Sequence, residues 1–230
     1  MGDPINTTSE LQSAEELAQL AQDVGVLDER QLQAAWSELG TRTASYQDFS
    51  QLLVRKGLLT NYQLDRMSRG LKSGYVYGNY RVLYLVGAGT FARVFRAADR
   101  KTGKVYALKV LRASKSVEPK EADLFRREGE LGATLKHPNI VPIHEVVSRG
   151  NQHYIVMDFI EGQNLRESFR VRQKFGWEES CDIISGVLAG LQAAFQLGVT
   201  HRDLKMSNVL IASDGTAKLI DFGLAALDNV

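Results

Sequence analysis

Apolar residues recur along this 230-residue chain in two rhythms, and the rhythm changes near residue 75. Before it, Leu17, Leu20, Ala21, Gly25, Leu27 and Leu32 have counterparts at Phe49, Leu52, Leu53, Gly57, Leu59 and Leu64, a constant offset of 32 that marks an internal repeat. Each copy reads as helix, glycine stop, short link, helix. Asp28-Glu29-Arg30-Gln31 and Thr60-Asn61-Tyr62-Gln63 are both capping-box patterns, so the second helix is predicted to begin at the same place in each copy. Two stacked helical hairpins could bury Leu17, Leu20, Leu32, Trp36, Phe49, Leu52, Leu53 and Leu64 in a small shared core.

Beyond residue 75 the pattern is mixed. Leu83/Leu85 and Val94/Phe95 flank a tip containing Gly87 and Gly89, as in a hairpin. After the turn at Lys101–Lys104, Val105–Leu111 is a β-rich run with one cation, Lys109, inside it. Leu124, Glu128, Leu131 and Leu135 fall at i, i+4, i+7 and i+11, a helical stripe. Ser180–Leu197 carries Ile183, Ile184, Val187, Leu188, Leu191 and Phe195 at helical spacing, and Asn208–Ile211 and Ala217–Ile220 read as paired strands joined by Ser213-Asp214-Gly215. The expected fold class is therefore α+β behind a small all-α repeat module, with domains at 1–75 and 76–230.

Chemistry enters through four short segments. The glycine tip of VGAGTFARV could lay backbone N–H groups over phosphates, although a ligand-free turn has the same composition. Lys109 on a mostly buried strand needs a counter-charge, because an unpaired buried ammonium is costly; Glu128 is the candidate, with Glu130 an equally charged neighbour. In HRDLKMSN, Asp203 can accept a proton from an attacking hydroxyl and Lys205 can neutralise charge on a transferred phosphoryl group. Asn208 offers an amide oxygen, and Asp221, thirteen residues later, a second oxygen ligand. Such a pair suits nucleotide-bound magnesium, which keeps waters and phosphate oxygens in its shell, better than an all-protein cage.

With these motifs in this order, residues from about Tyr80 onward, two-thirds of the chain, resemble the N-terminal lobe and catalytic loop of a eukaryotic-like (Hanks-type) Ser/Thr protein kinase. The resemblance implies a partial kinase fold: an antiparallel N-lobe sheet with helix C, then the beginning of a helical lobe. It implies that Lys109 contacts the ATP α- and β-phosphates and pairs with Glu128, nine residues before His137. It makes Asp203 the catalytic base and Asn208 and Asp221 the Mg2+ ligands. Val86, Val94, Ala107 and Leu210 would enclose the purine, Gly87 and Gly89 would cover the phosphates, Met157 would be the gatekeeper, and the backbone of Asp158 and Ile160 would bond adenine. HRDLK resembles the pattern directed at Ser/Thr hydroxyls of protein substrates. KGLLTNYQL with GNYRVL resembles the N-terminal extension of some bacterial, planctomycete-like kinases, where the repeat would either dock a protein partner or pack on the N-lobe.

Three positions depart from the family pattern. Ala92 replaces the third glycine, Met206 replaces a proline and so loosens the loop, and Gly132 lies inside helix C, where glycine costs about 1 kcal/mol against alanine. Helix C is therefore expected to be poorly fixed. A nucleotide-binding scaffold without turnover is the alternative if Glu128 cannot reach Lys109, and a small-molecule phosphotransferase is a poorer fit to HPNIV, HRDLK and DFG. Only Leu224–Val230 follow DFG, so the chain reads as a fragment, weak or inactive alone, and the Ser180–Leu197 helix would expose an apolar face. Arg202 beside Asp203 implies control by activation-loop phosphorylation.

Charge and composition narrow the partners. A formal charge of +1 and no basic cluster in the repeat argue against nucleic acid or strong attraction to acidic membranes. Cys181 is the sole cysteine, which fits a reducing, cytoplasmic setting. Met1–Glu10 does not resemble a signal peptide, Gly2 lacks a myristoylation pattern, and Gly186–Val199 is too short and too polar to span a bilayer, although an anchor beyond residue 230 is left open.

Overall fold

The computed structural model describes residues 13–40, 44–222 and 226–227. Met1–Glu10 and Gly2 within it lie outside the described residues, as do Gly223 of DFG and most of the stretch after it. The chain forms two compact units: Met1–Gly87 with Phe95–Val105, and Ala88–Val94 with Tyr106–Val230.

The first unit reproduces the offset read from the sequence. Helices α1 (Ala14–Asp23) and α3 (Tyr46–Arg55) correspond residue for residue, and α2 (Glu29–Leu39) and α4 (Asn61–Ser68) start at equivalent positions. Ser13 and Ser45 cap the first helix of each copy, while both expected capping boxes form at the second. Gly25 and Gly57 take φ of +70° and +67°, a left-handed turn open to glycine without a Cβ clash. Leu17, Leu20, Leu32, Phe49, Leu52 and Leu53 are buried together, with Trp36 and Leu64 packed against them and Trp36 stacked on Phe49 at 4.1 Å. Tyr75 belongs to the same core. Strand β1 (Val76–Tyr77) then pairs antiparallel with the start of β2 (Tyr80–Ala88), so this unit continues past residue 75. Strand β3 (Ala92–Asp99) returns along the chain.

In the second unit, β4 (Val105–Leu111) lies against β6 (Gln152–Asp158), and β6 against β5 (Ile143–Arg149), all antiparallel, with a register shift between Ile143 and Glu145. After the short α5 (Ala113–Ser116), α6 (Pro119–Thr134) packs on β5 and β6. Its buried face is Ala122, Phe125, Gly129 and Gly132; Leu124, expected on the inward stripe, is 63% exposed. The rest of the stripe does face inward, with Glu128 half-buried, Leu131 packed into a core and Leu135 buried; only Leu124 departs, and Gly129 and Gly132 let the helix lie close to the sheet.

The chain continues through β7 (Gly162–Asn164), α7 (Leu165–Arg172), α8 (Trp177–Gln196) and β8 (Val199–Thr200). A 3-10 turn at Met206–Asn208 leads to β9 (Val209–Ala212), β10 (Ala217–Leu219) and β11 (Ala226–Leu227). Strands β10, β9 and β7 form one antiparallel sheet in that order, and β11 pairs with β8. The expected turn closes β9 to β10, with Gly215 at φ +85°. On α8, Ile183 is buried and Val187 and Leu191 pack into the core with Leu219 and Phe222, whereas Ile184, Leu188 and Phe195 are exposed. No described helix is long and apolar enough to cross a membrane.

Candidate active site

Lys109 lies in the middle of β4, opposite Ile155 of β6 and between the buried Leu108 and Val110. A long side chain anchored there can reach beyond the strand only along a fixed line, and its ammonium meets two carboxylates. It pairs with Glu128 of α6 and with Asp221 Oδ1 at 2.8 Å. Burial pushes the Lys109 ammonium toward neutrality, but Asp221 and Glu128 together outweigh burial and hold it charged, above its ordinary value. Burial raises the Glu128 carboxyl above the usual range, with Lys109 opposing that rise. Glu130 takes no part: it is exposed and bonded to Arg126 at 2.6 Å.

Glycine is what lets α6 deliver Glu128. A Cβ on Gly129 would come within 2.9 Å of Ile155 and Val146, and one on Gly132 within 2.6 Å of Ile143 Cδ1. The structure thus gives Gly132 a packing role beside the propensity cost weighed in the sequence. Both glycines are buried contact points, and the propensity cost is offset by close packing against the sheet.

The second cluster is built by a turn whose backbone is held from within. His201 is buried; its Nε2 bonds Ile220 O at 3.1 Å, its Nδ1 accepts from Asp203 N, and its ring lies 4.6 Å from Phe222. Those partners define an imidazole protonated at Nε2. Arg202 and Asp221 both adopt positive φ, +58° and +60°, conformations costly for residues with a Cβ and held here by the surrounding hydrogen bonds. Asp203 Oδ2 accepts from Lys205 Nζ at 2.6 Å and from Asn208 Nδ2 at 3.0 Å. The Lys205 hydrogen bond holds the Asp203 carboxyl below its ordinary value, assisted by Asn208, so it stays ionised. The loop forms with Met206 in place of proline, closed by Asn208 N to Lys205 O at 2.9 Å. Ile220 N donates to Asn208 O at 3.0 Å, which ties the segment bearing Asp221 to Asn208.

The donor set fits the metal inferred from the sequence. Asn208 Nδ2 is engaged by Asp203, which leaves Oδ1 as the amide atom free to ligate, and Asp221 brings one carboxylate. Among the described residues no group of three or more His, Cys, Asp or Glu forms a metal cage. One amide and one carboxylate match an ion that draws its remaining ligands from phosphate and water.

Of the remaining residues, Ala107 is buried on β4 opposite Met157 of β6, and Leu210 lies on β9 between Lys218 and Asn164. Asp158 ends β6 opposite Tyr106, with its N–H bonded to Pro142 O at 3.1 Å; Ile160 follows, half-buried. Val94 is half-buried in the first part of β3. Gly89 N bonds Ala92 O, and Arg112 Nε bonds Gly89 O at 2.9 Å. That arginine steadies the glycine tip, and nothing in its sequence context marks it. Val86 and Gly87 end β2, both exposed.

Comparison with known proteins places these features. The family model described as "Protein kinase domain" matches residues 80–229. The probable serine/threonine-protein kinase PknB of Lactococcus lactis is 37% identical over 147 residues, covering 64% of this chain and 23% of the relative. The serine/threonine-protein kinase PrkC of Bacillus subtilis is 33% identical over 65% of this chain and 23% of the relative. The serine/threonine-protein kinase cds1 of Schizosaccharomyces pombe is 33% identical over 64% of this chain and 33% of the relative. The chain thus spans a quarter to a third of the length of these relatives.

Proposed function

This chain belongs to the protein kinase domain family, and from that premise we propose that the protein transfers the γ-phosphoryl group of magnesium–ATP to Ser/Thr hydroxyls of protein substrates. The observation that carries the reading is the pair of clusters, Lys109–Glu128–Asp221 and Asp203–Lys205–Asn208, each assembled by hydrogen bonds.

In this reading Lys109, kept charged by two carboxylates, binds and orients the α- and β-phosphates. Asp203 Oδ2 is occupied by Lys205 and Asn208, so Oδ1 is available to orient the substrate hydroxyl and take its proton as the bond to phosphorus forms. Lys205 stands at the same carboxylate, where it can neutralise charge on the moving phosphoryl group. Magnesium, when bound, neutralises phosphate oxygens; Asn208 and Asp221 are the residues that would hold it. Ala107, Val86, Val94 and Leu210 would enclose the purine, Gly87 and Gly89 would cover the phosphates, and the backbone of Asp158 and Ile160 would bond the adenine edge. The Lys109–Glu128 pair favours turnover over a nucleotide-binding scaffold. A cytoplasmic setting goes with the reading, since Cys181 is a free, exposed thiol.

The test compares the full-length protein with its Asp203→Asn variant, using labelled ATP and a generic Ser/Thr protein. Asn keeps the shape and hydrogen-bonding oxygen but cannot take the proton. Transfer is expected to fall by more than about a hundredfold while ATP affinity changes little. An unaffected rate would overturn the assignment of the base.

A further inference from the structure

Within the first unit, the two residues that cap α4 also hold the strand that follows the repeat. Thr60 Oγ1 accepts from Gln63 N at 3.2 Å and donates to Leu83 O at 2.6 Å. Gln63 Oε1 accepts from Thr60 N at 2.8 Å, while its Nε2 donates to Val82 O at 2.6 Å. Gln63 is 1% exposed and Val82 fully buried, so that last bond has no water to replace it. Val82 N is taken by Tyr75 O at 2.8 Å, just outside the helices. Both backbone groups of Val82 thus end on the repeat or its linker.

The other copy of the repeat is an internal control. At the equivalent positions, Asp28 and Gln31 form the same capping box, with bonds of 2.8 and 3.0 Å, but it is exposed and bonds to no other segment among the described residues. A carboxylate at the cap could not serve as Thr60 does, because it has no proton to donate to a carbonyl oxygen. At the cap itself the second copy differs from the first in having a hydroxyl proton to donate, while the glutamine is common to both.

We propose that the helical repeat is a positioning element for β2, acting through the Thr60 hydroxyl and the Gln63 amide, and that it thereby sets the chain's affinity for nucleotide. Leu83 is three residues from Val86, about 10 Å along an extended strand, so a strand pinned at Val82 and Leu83 fixes the base of the glycine tip. The proposal rests on the phosphotransfer reading, which takes Val86 and Gly87 as nucleotide contacts. Thr60 and Gln63 are positioning residues: they act on the nucleotide through β2 and do not touch it.

Thr60→Asp separates the two jobs of this residue. Aspartate caps a helix at least as well as threonine, so α4 keeps its start, but it places a carboxylate against the Leu83 carbonyl. Gln63→Glu does the same at the other bond, keeping the capping acceptor and removing the donor to Val82. Thr60→Ser keeps donor and acceptor, and Asp28→Thr changes the cap that makes no bond to β2. The readouts on the full chain are the Kd for a fluorescent ATP analogue with magnesium and amide hydrogen exchange across residues 80–91. In whichever of Thr60→Asp and Gln63→Glu folds, Kd is expected to rise about three- to tenfold, the worth of one hydrogen bond, with faster exchange along β2. Thr60→Ser and Asp28→Thr should match the wild type. A folded clamp variant with wild-type Kd overturns this proposal alone. A wild-type chain that binds no analogue overturns the phosphotransfer reading and this proposal with it.

Discussion

Lys109 is the residue on which most of the candidate site depends, and its two partners are not equivalent. The Glu128 side chain is 15% exposed and Asp221 37%, so most of the burial penalty falls on Glu128. Because burial raises the Glu128 carboxyl above 4.5, the folded state holds that proton more tightly than the unfolded chain does. The linkage sign follows: stability contributed by the protonated carboxyl is present below the ordinary value and lost as pH rises through the raised one. Glu128→Gln, which resembles the protonated acid, is therefore expected to be at least as stable as wild type at pH 7. The gap should close at a pH below about 4.5 in denaturant unfolding measured across pH. Phosphate transfer by the same variant should fall by more than about tenfold, since Lys109 loses the partner that aims it. A Glu128→Gln protein much less stable than wild type at pH 7 would show that the ion pair stabilises the fold.

Helix α6 shows which elements are legible in sequence and which are not. The β9–β10 hairpin and the turn holding Asp203 were readable because alternation, Ser213-Asp214-Gly215 and the spacing of polar groups are local signals. The period of α6 was readable too, and it identified Glu128. Its inward face was readable at Glu128, Leu131 and Leu135 but not at Leu124 and Gly129, because closeness of approach is a property of the partner surface, and hydropathy ranks Leu124 above Gly129. The glycines carry the contrary information: propensity alone predicts that Gly129→Ala stabilises the helix by about 1 kcal/mol. Contact with Ile155 and Val146 predicts the opposite, a net loss of about 1–3 kcal/mol from overpacking, together with weaker transfer as Glu128 is pushed from Lys109. Equilibrium denaturation of Gly129→Ala decides between the two, and a stabilised variant would mean the sheet yields more readily than its packing implies.

At the scale of the whole molecule, the repeat was the most readable feature, since an offset of 32 fixes helix starts, caps and glycine stops together. The bonds from Thr60 and Gln63 to β2 were hidden because each residue already had a complete local explanation as a helix cap. An exposed apolar side on the Ser180–Leu197 helix was expected from the sequence. Trp177, Ile184, Leu188 and Phe195 recur along one side and are 76%, 58%, 59% and 69% exposed, while Gly186 and Gly190 press the opposite side against Asn139 and Leu219. A row of large apolar side chains of this kind drives association in water. Residues 1–230 expressed alone are expected to self-associate with rising concentration in light scattering. Ile184→Gln with Leu188→Gln should suppress that association without lowering the unfolding midpoint, because neither side chain contributes to the core beneath the helix. If the double variant stays monomeric but unfolds more easily, the row is bearing on the fold itself, and the exposed side would have to be reassigned as part of the core.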